Sequence, residues 1–578
     1  MPRRRRLRRK TERSRVRNRT SARSLEPTGP LVQIPLQGSV TVAIVTGDIS
    51  ASYARTLWAT TGIVIAAYVV VFLVLAPLAL QDYLNHLARA WVLADLVFHN
   101  GARFGTAFQY HFAAIPYVLG DLLLAGVTEL LGTAAAASLW SVFVFLSLPC
   151  ALLFYLSKSG ARTETRALLL ILSLYLSTDW FFLVGFLEFR LGLAVTLVAV
   201  ALADSVRQKP SRLRYAAYAV VVLLGYLTHL STLVFIAAAI GMSALIRLRL
   251  GSTSWRQELA LLLPCGAALI WHFASGYAFR APGDLVEVPY LWDGLRGKLA
   301  RLGSEFARFG RGDGLMSLLL AGCMLLYVGR VDVRTFKSPR VLEMFALTAA
   351  FLGIYFALPL GYPEAYYVDI RALPLACLFW IFGMINLRRI ETAGRKRRQI
   401  VAVGMACMLA IGNLAYLVEH FTEHRAWLTQ YRQVIHAIPR NARVLPVYTH
   451  GPDGAVVPYL HAYSFAIIDR DNVVPYLQTG DTGNPEKYLR YRQRPYMPAE
   501  GWYGDIDAPK VDWRAVACAY DFVLITKPYD IRRLQVPLTP IAENESASLF
   551  ALPQKTGCPP AGARVPGSTL SVPTLVSR

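Results

Sequence analysis

Apolar runs of 12 to 24 residues, separated by short charged stretches, fill positions 57 to 418, and only beyond Glu419 does the pattern turn polar and rich in Tyr and Pro. The first run, Leu57–Leu80, matches the roughly 20 apolar residues that cross a bilayer core of about 30 Å. Charges begin directly after it, in Gln81-Asp82-Tyr83-Leu84-Asn85-His86-Leu87-Ala88-Arg89. Residues 82–99 carry Leu84, Leu87, Trp91 and Ala94 at helical spacing and predict a helix lying at the membrane surface. Residues 113–131 predict a second surface helix, because Asp121 and Glu129 interrupt its apolar sequence. Further spans are predicted over 133–156, 167–178, 189–206, 215–228, 231–246, 258–275, 315–328, 341–360, 370–387 and 400–418. With the first run these make 11 crossings. The loop 276–314 holds a third surface helix, marked by Leu295, Leu299, Leu302 and Phe306.

The fold class is therefore a mainly α polytopic membrane protein, and a soluble core is excluded by 55% hydrophobic against 17% charged residues. The formal net charge of +23 would suggest nucleic acid, but much of it crowds into the first 23 residues. Such a tail reads as an orientation signal or a contact with anionic membrane lipids, not as a nucleic-acid site. Residues 1–56 are expected to be a largely disordered cytoplasmic tail, and the run at Leu57 lies too far in for a cleaved signal peptide.

Basic clusters at 158–166, 207–214, 247–256, 330–340 and 388–398 belong in the cytoplasm. Asp82 then lies outside, and so does everything after the last span. Residues 419–557 are expected to form a small extracytoplasmic α/β domain, with a helix over 425–438 and strands over 444–448 and 522–526. A disordered tail follows over 558–578. Cys518 and Cys558 lie in the outer region, where a disulfide is possible, and the other five cysteines show no metal-ligand spacing. Asn544-Glu545-Ser546 matches a glycosylation sequon.

Ionisable groups inside or at the rim of a bilayer are costly, so those present there are functional candidates. On this topology Asp82, His86, Arg89, Asp179, Glu188, Arg190, His229, Asp369 and Arg371 all lie near the outer ends of their helices. Each has a structural rival: Asp82 can cap the helix that starts at Tyr83, His229 can mark a turn, and Asp179, Glu188 and Arg190 can pair among themselves. Asp369 and Arg371, two residues apart, diverge by about 200° on a helix and should serve different partners. The aromatic group Trp180, Phe181 and Phe182 and the group Tyr362, Tyr366 and Tyr367 read as interfacial belts.

A first crossing, an outer loop over 80–132 with an early Asp and two surface helices, alternating helix pairs and an outer terminal domain resemble the GT-C glycosyltransferases. That group uses polyprenyl-phosphate sugars and includes protein mannosyltransferases and aminoarabinose transferases. The segment Ile115-Pro116-Tyr117-Val118-Leu119, ending at Leu131-Gly132, is similar to its second surface helix. The resemblance implies transfer of a sugar from a polyprenyl-phosphate donor to a glycan, lipid or protein acceptor on the outer face of the plasma membrane. Asp82 would be the general base and His86 its catalytic neighbour. Arg89, Arg190 and Arg371 would clamp phosphate, and Asp179, Glu188, His229 and Asp369 would line the substrate site. Many members pair two acids in the first loop, whereas Tyr83 and Leu84 follow Asp82 here. The expectation is thus a metal-independent enzyme without a cofactor. Two other classes stay open: a transporter or flippase of a lipid-linked substrate, and a non-catalytic membrane scaffold.

Overall fold

The computed structural model describes residues 46–159, 161–275, 291–303, 311–329, 333–362, 365–387, 395–447, 456–479, 488–493, 495–496, 512–527, 538–553 and 558. The basic tail before residue 46, the stretch after Cys558 and parts of the loop 276–314 lie outside these residues. The described residues from Tyr53 onward form one compact unit.

In chain order the helices are α1 (Thr46–Leu75), α2 (Tyr83–Phe98), α3 (Val118–Leu131), α4 (Thr133–Lys158), α5 (Thr163–Ser177) and α6 (Trp180–Val184). They continue with α7 (Leu187–Gln208), α8 (Arg212–Thr228), α9 (Leu230–Arg249), α10 (Trp255–Ala274), α11 (Leu295–Arg301) and α12 (Arg311–Val328). The last are α13 (Pro339–Ala357), α14 (Leu373–Asn386), α15 (Arg395–His436), α16 (Ser464–Arg470) and α17 (Trp513–Ala519). Every predicted span coincides with a helix. Among the described residues 7 of them, α1, α4, α7, α9, α10, α13 and α15, are long and apolar enough to cross a membrane. The helices at the four remaining predicted spans, α5, α8, α12 and α14, are not counted among those seven. α5 is cut short by Thr178 and Asp179, where Asp179 caps α6 by accepting from the backbone N–H of Phe182.

The strands are β1 (Phe108–Tyr110), β2 (Gly361–Tyr362), β3 (Ala365–Tyr366), β4 (Val444–Val447), β5 (Leu489–Tyr491), β6 (Phe522–Thr526), β7 (Thr539–Glu543) and β8 (Ala547–Ala551). Four of them make the C-terminal sheet in the order β4-β6-β8-β7, with β4 and β6 parallel and the other pairs antiparallel. The Cys518–Cys558 disulfide is formed. Asn544 of the sequon is engaged inside the fold, its amide donating to the carbonyl of Gln430 and its oxygen accepting from Ser546.

Four expectations need correction. The composition break at residue 419 is not an element boundary: α15 runs unbroken from Arg395 to His436, because 419–424 hold neither Gly nor Pro to end it. The C-terminal region also shares its core with the helices, for one hydrophobic cluster extends from Val64 through Phe182 and Phe421 to Phe550. β1, in the first outer loop, pairs antiparallel with β5 from the C-terminal region, Phe108 facing Tyr491.

The surface helices, third, turn part of their charge inward. α2 buries Asn85, His86, Arg89 and Asp95 because the C-terminal region covers it, and α3 buries Asp121 while exposing Leu123, Leu130 and Leu131. α11 follows the same inverted pattern, with Lys298 buried and Leu295 and Leu299 exposed. Such helices suit a lipid surface on their outer side. Fourth, Trp180, Phe181 and Phe182 are buried core residues, not a belt; Phe182 stacks on Phe72, and Trp180 meets Tyr367 edge to face.

Candidate active site

Asp82 occupies the residue before α2, yet its side chain makes no capping hydrogen bond. Its backbone is held instead by a strap from the α6–α7 turn: the N–H of Gln81 donates to Leu183 O at 3.1 Å and that of Asp82 to Val184 O at 2.9 Å. Gly185 follows the strap with φ +88°, and a Cβ there would lie 2.9 Å from the Asp82 nitrogen. The carboxylate is left facing His461, whose Nε2 stands 3.2 Å from Asp82 Oδ1.

Two turns along α2, Arg89 is fully buried and forms a two-pronged pair with Asp121 of α3, Nε to Oδ2 at 2.7 Å. The same guanidinium reaches Glu188 of α7 at 3.3 Å and His86 Nδ1 at 2.8 Å. Tyr488 closes the group by donating its hydroxyl to Asp121 at 2.8 Å. Burial works against the charge on Arg89, but Asp121 and Glu188 outweigh it and hold the guanidinium above its ordinary range. Burial first, then Asp121, raises Tyr488 well above the usual phenol range, so it stays a donor. Gly120 lets Glu188 approach, since a Cβ there would meet Glu188 Cγ at 2.8 Å.

His86, Asp121 and Glu188 offer ligand atoms within 4.8 Å of one another. A cation would fit that donor set only by displacing Arg89, which already donates to all three. Around this centre Arg190 pairs with Asp179 and donates to Leu176 O. Arg371 lies 3.2 Å from His229 Nε2 and over the rings of Phe186 and Phe189. His229 caps α9 through Nδ1, accepting from Ser231. Asp369, two residues from Arg371, instead accepts from Lys298 at 3.0 Å and Arg301 at 3.1 Å.

The α6–α7 turn is thus the hub that brings most of the candidate residues together. Asp82, His86, Arg89 and Glu188 form its centre, Asp179 and Arg190 brace the turn, and His229 with Arg371 packs beside the start of α7. Asp369 joins a separate cluster with α11. Sequence reasoning passed over three participants, Asp121, His461 and Tyr488. His461 carried one usable signal: it interrupts the mostly apolar run 456–468, where a polar side chain tends to be buried and partnered.

No protein-family model and no curated protein sequence matches the chain. Among solved structures, it aligns with ArnT from Cupriavidus metallidurans in the apo state at TM-score 0.52 and 12% identity, covering 86% of this chain and 98% of that one. The same protein bound to undecaprenyl phosphate aligns at TM-score 0.51 and 11% identity, covering 85% and 97%. The chain therefore has an ArnT-like fold, the GT-C arrangement expected from its sequence.

Proposed function

We propose that the protein is an integral membrane glycosyltransferase that moves a sugar from a polyprenyl-phosphate donor to an acceptor at the outer face of the plasma membrane, with Asp82 as general base. The observation that carries this reading is the unequal state of the buried carboxylates. Asp121, Glu188, Asp179 and Asp369 each meet a guanidinium or ammonium group, so their oxygens are already engaged by a cation. Among the described residues Asp82 meets only an imidazole, and with no helix cap to serve it is the carboxylate left for proton transfer.

The fold supports the donor class, since an ArnT of the same fold is bound to undecaprenyl phosphate. The outward-facing leucines of α3 give the site an apolar border suited to a lipid carrier. In the reaction Asp82 removes the acceptor hydroxyl proton while that oxygen attacks the anomeric carbon, and the polyprenyl phosphate leaves with its electron pair. Arg371, over the rings of Phe186 and Phe189 and beside His229, is the arginine assigned here to the departing phosphate, its guanidinium fork matching phosphate oxygens. Arg89 and Arg190 are engaged by carboxylates and act by fixing the walls.

Transfer of labelled sugar from a panel of polyprenyl-phosphate sugars to membrane extract, by purified wild type and Asp82→Asn, tests the reading. Transfer is expected from wild type alone, with the variant lower by about 10²- to 10⁴-fold. Equal transfer by both removes Asp82 from the role, and substrate movement without a new glycosidic bond points to a transporter.

A further inference from the structure

We propose that His461 is the proton-accepting partner of Asp82, so that the outer C-terminal region supplies part of the base and does not merely cover it. The proposal rests on the reading of Asp82 as the general base. His461 is 3% exposed, and its Nε2 lies 3.2 Å from Asp82 Oδ1 without forming a hydrogen bond. Its other ring nitrogen is committed. Nδ1 lies 2.6 Å from the hydroxyl of Tyr463, whose own proton goes to the carbonyl of Tyr476 at 3.0 Å. It lies at a longer 3.4 Å from the Asn85 amide nitrogen, whose protons go to Tyr476 O and the Tyr463 hydroxyl. A hydroxyl that donates elsewhere is left to accept, so Nδ1 carries the ring proton and Nε2 presents a lone pair to the carboxylate.

A buried lone pair beside a carboxylate is unfavourable until a proton arrives between them. The pair is therefore set to receive one. Asn85 of α2 fixes the arrangement, donating to Tyr476 O at 3.2 Å and accepting from the N–H of Gln478 at 3.0 Å. The titratable groups against the ring are Asp82 from α2, Tyr463, and Tyr476 with its buried hydroxyl.

In the transfer step the acceptor O–H bond breaks as the new C–O bond forms at the anomeric carbon, and the sugar–phosphate bond breaks with both electrons leaving on the phosphate. The proton passes to the Asp82 carboxylate and on to His461 Nε2. The products are the glycoside, polyprenyl phosphate, a regenerated carboxylate and an imidazolium that later loses its proton to water. His461 acts through Asp82 and is a positioning and relay residue, not one that touches the sugar.

The test is steady-state kinetics of the full chain in detergent, comparing wild type, His461→Gln and Asp82→Asn across pH. In His461→Gln, kcat is expected to fall about 10²-fold with the donor KM unchanged. An imidazole takes up a proton more readily than a carboxylate does, so a reaction that needs unprotonated imidazole fails at higher pH than one needing carboxylate alone. The acid limb of the kcat profile is thus expected to move to lower pH in His461→Gln, and added imidazole should restore part of the rate to His461→Gly. Wild-type kcat and an unmoved profile in His461→Gln, with Asp82→Asn inactive, would overturn the relay and leave the enzyme reading intact. Activity in Asp82→Asn would sink both. If His461→Gln does not fold, Tyr463→Phe, which removes the Nδ1 acceptor, must show the same direction at smaller size; an unchanged rate and profile there overturns the proposal equally.

Discussion

At the scale of single residues, a carboxylate's partner decides what it can do. Arg89 shows the limiting case: it is fully buried, Asp121, Glu188 and His86 receive its guanidinium, and its Nη1 is buried without a hydrogen bond. Arg89→Met would leave Asp121 and Glu188 buried without their cation. Losing one side of a buried pair costs about 3–5 kcal/mol, so the midpoint of thermal unfolding in detergent should drop by many degrees. Arg89→Met combined with Asp121→Leu should recover much of that loss, because the remaining uncompensated charge is smaller. A midpoint unchanged by the single substitution would show that Glu188 and Asp121 are neutral in the fold.

At the scale of elements, the α6–α7 turn sets the position of Asp82 by backbone contacts alone. Gly185→Ala would force a Cβ onto a residue at φ +88° and against the Asp82 nitrogen at 2.9 Å. Left-handed backbone costs a non-glycine residue about 1–2 kcal/mol, and the contact adds a shift of Asp82 itself. Transfer activity should fall further than stability does. Gly126→Ala is the matched control, since nothing lies within 4 Å of its Cβ position; in the interior of α3 it should stabilise by up to about 1 kcal/mol. Comparing kcat and melting midpoint of the two variants checks both statements.

The same scale explains what the sequence could reveal. Long apolar runs are local signals, so all the helices at the predicted spans were legible, and Asp82 and His86 stood out because charge follows apolar sequence so abruptly. Asp121 misled because one acid on an apolar helix looks like a solvent-facing residue, and only the partner Arg89, 32 residues away, shows that it faces inward. His461 was illegible as a site residue because its partner is an α2 residue hundreds of positions earlier, and no local period records a contact of that range. The junction at residue 419 misled for the opposite reason: composition changes there, but the backbone has no cause to stop.

At the scale of the whole molecule, a second charged group closes the other ends of the helices. Arg207, Arg247 and Arg340 share Asp204, while Glu258 pairs with Arg207 and Glu343 with Arg247. Arg340 also donates to the hydroxyl of Tyr155. These three arginines come from three separate basic clusters assigned to the cytoplasmic side, and the network ties α4, α7, α9, α10 and α13 together there. Asp204→Ala would leave three cations sharing too little negative charge. It should lower stability by about 2–4 kcal/mol, a partly exposed version of the buried-pair loss, with sugar transfer by the folded fraction unchanged. Chemical denaturation in detergent and single-turnover transfer separate the two effects, and a fall in turnover per folded molecule would show that the network reaches the outer site.

The unbroken α15 carries a further meaning for how this machine can move. At about 1.5 Å per residue, its 42 residues make a beam about 63 Å long, clamped along its length by α12, α5, α16 and β8. A beam without a joint cannot let the outer region lift like a hatch. On the proposed reaction, the lipid-linked donor is then expected to reach Asp82 sideways, from the plane of the bilayer, its own lateral diffusion doing the work that a swinging domain would do elsewhere.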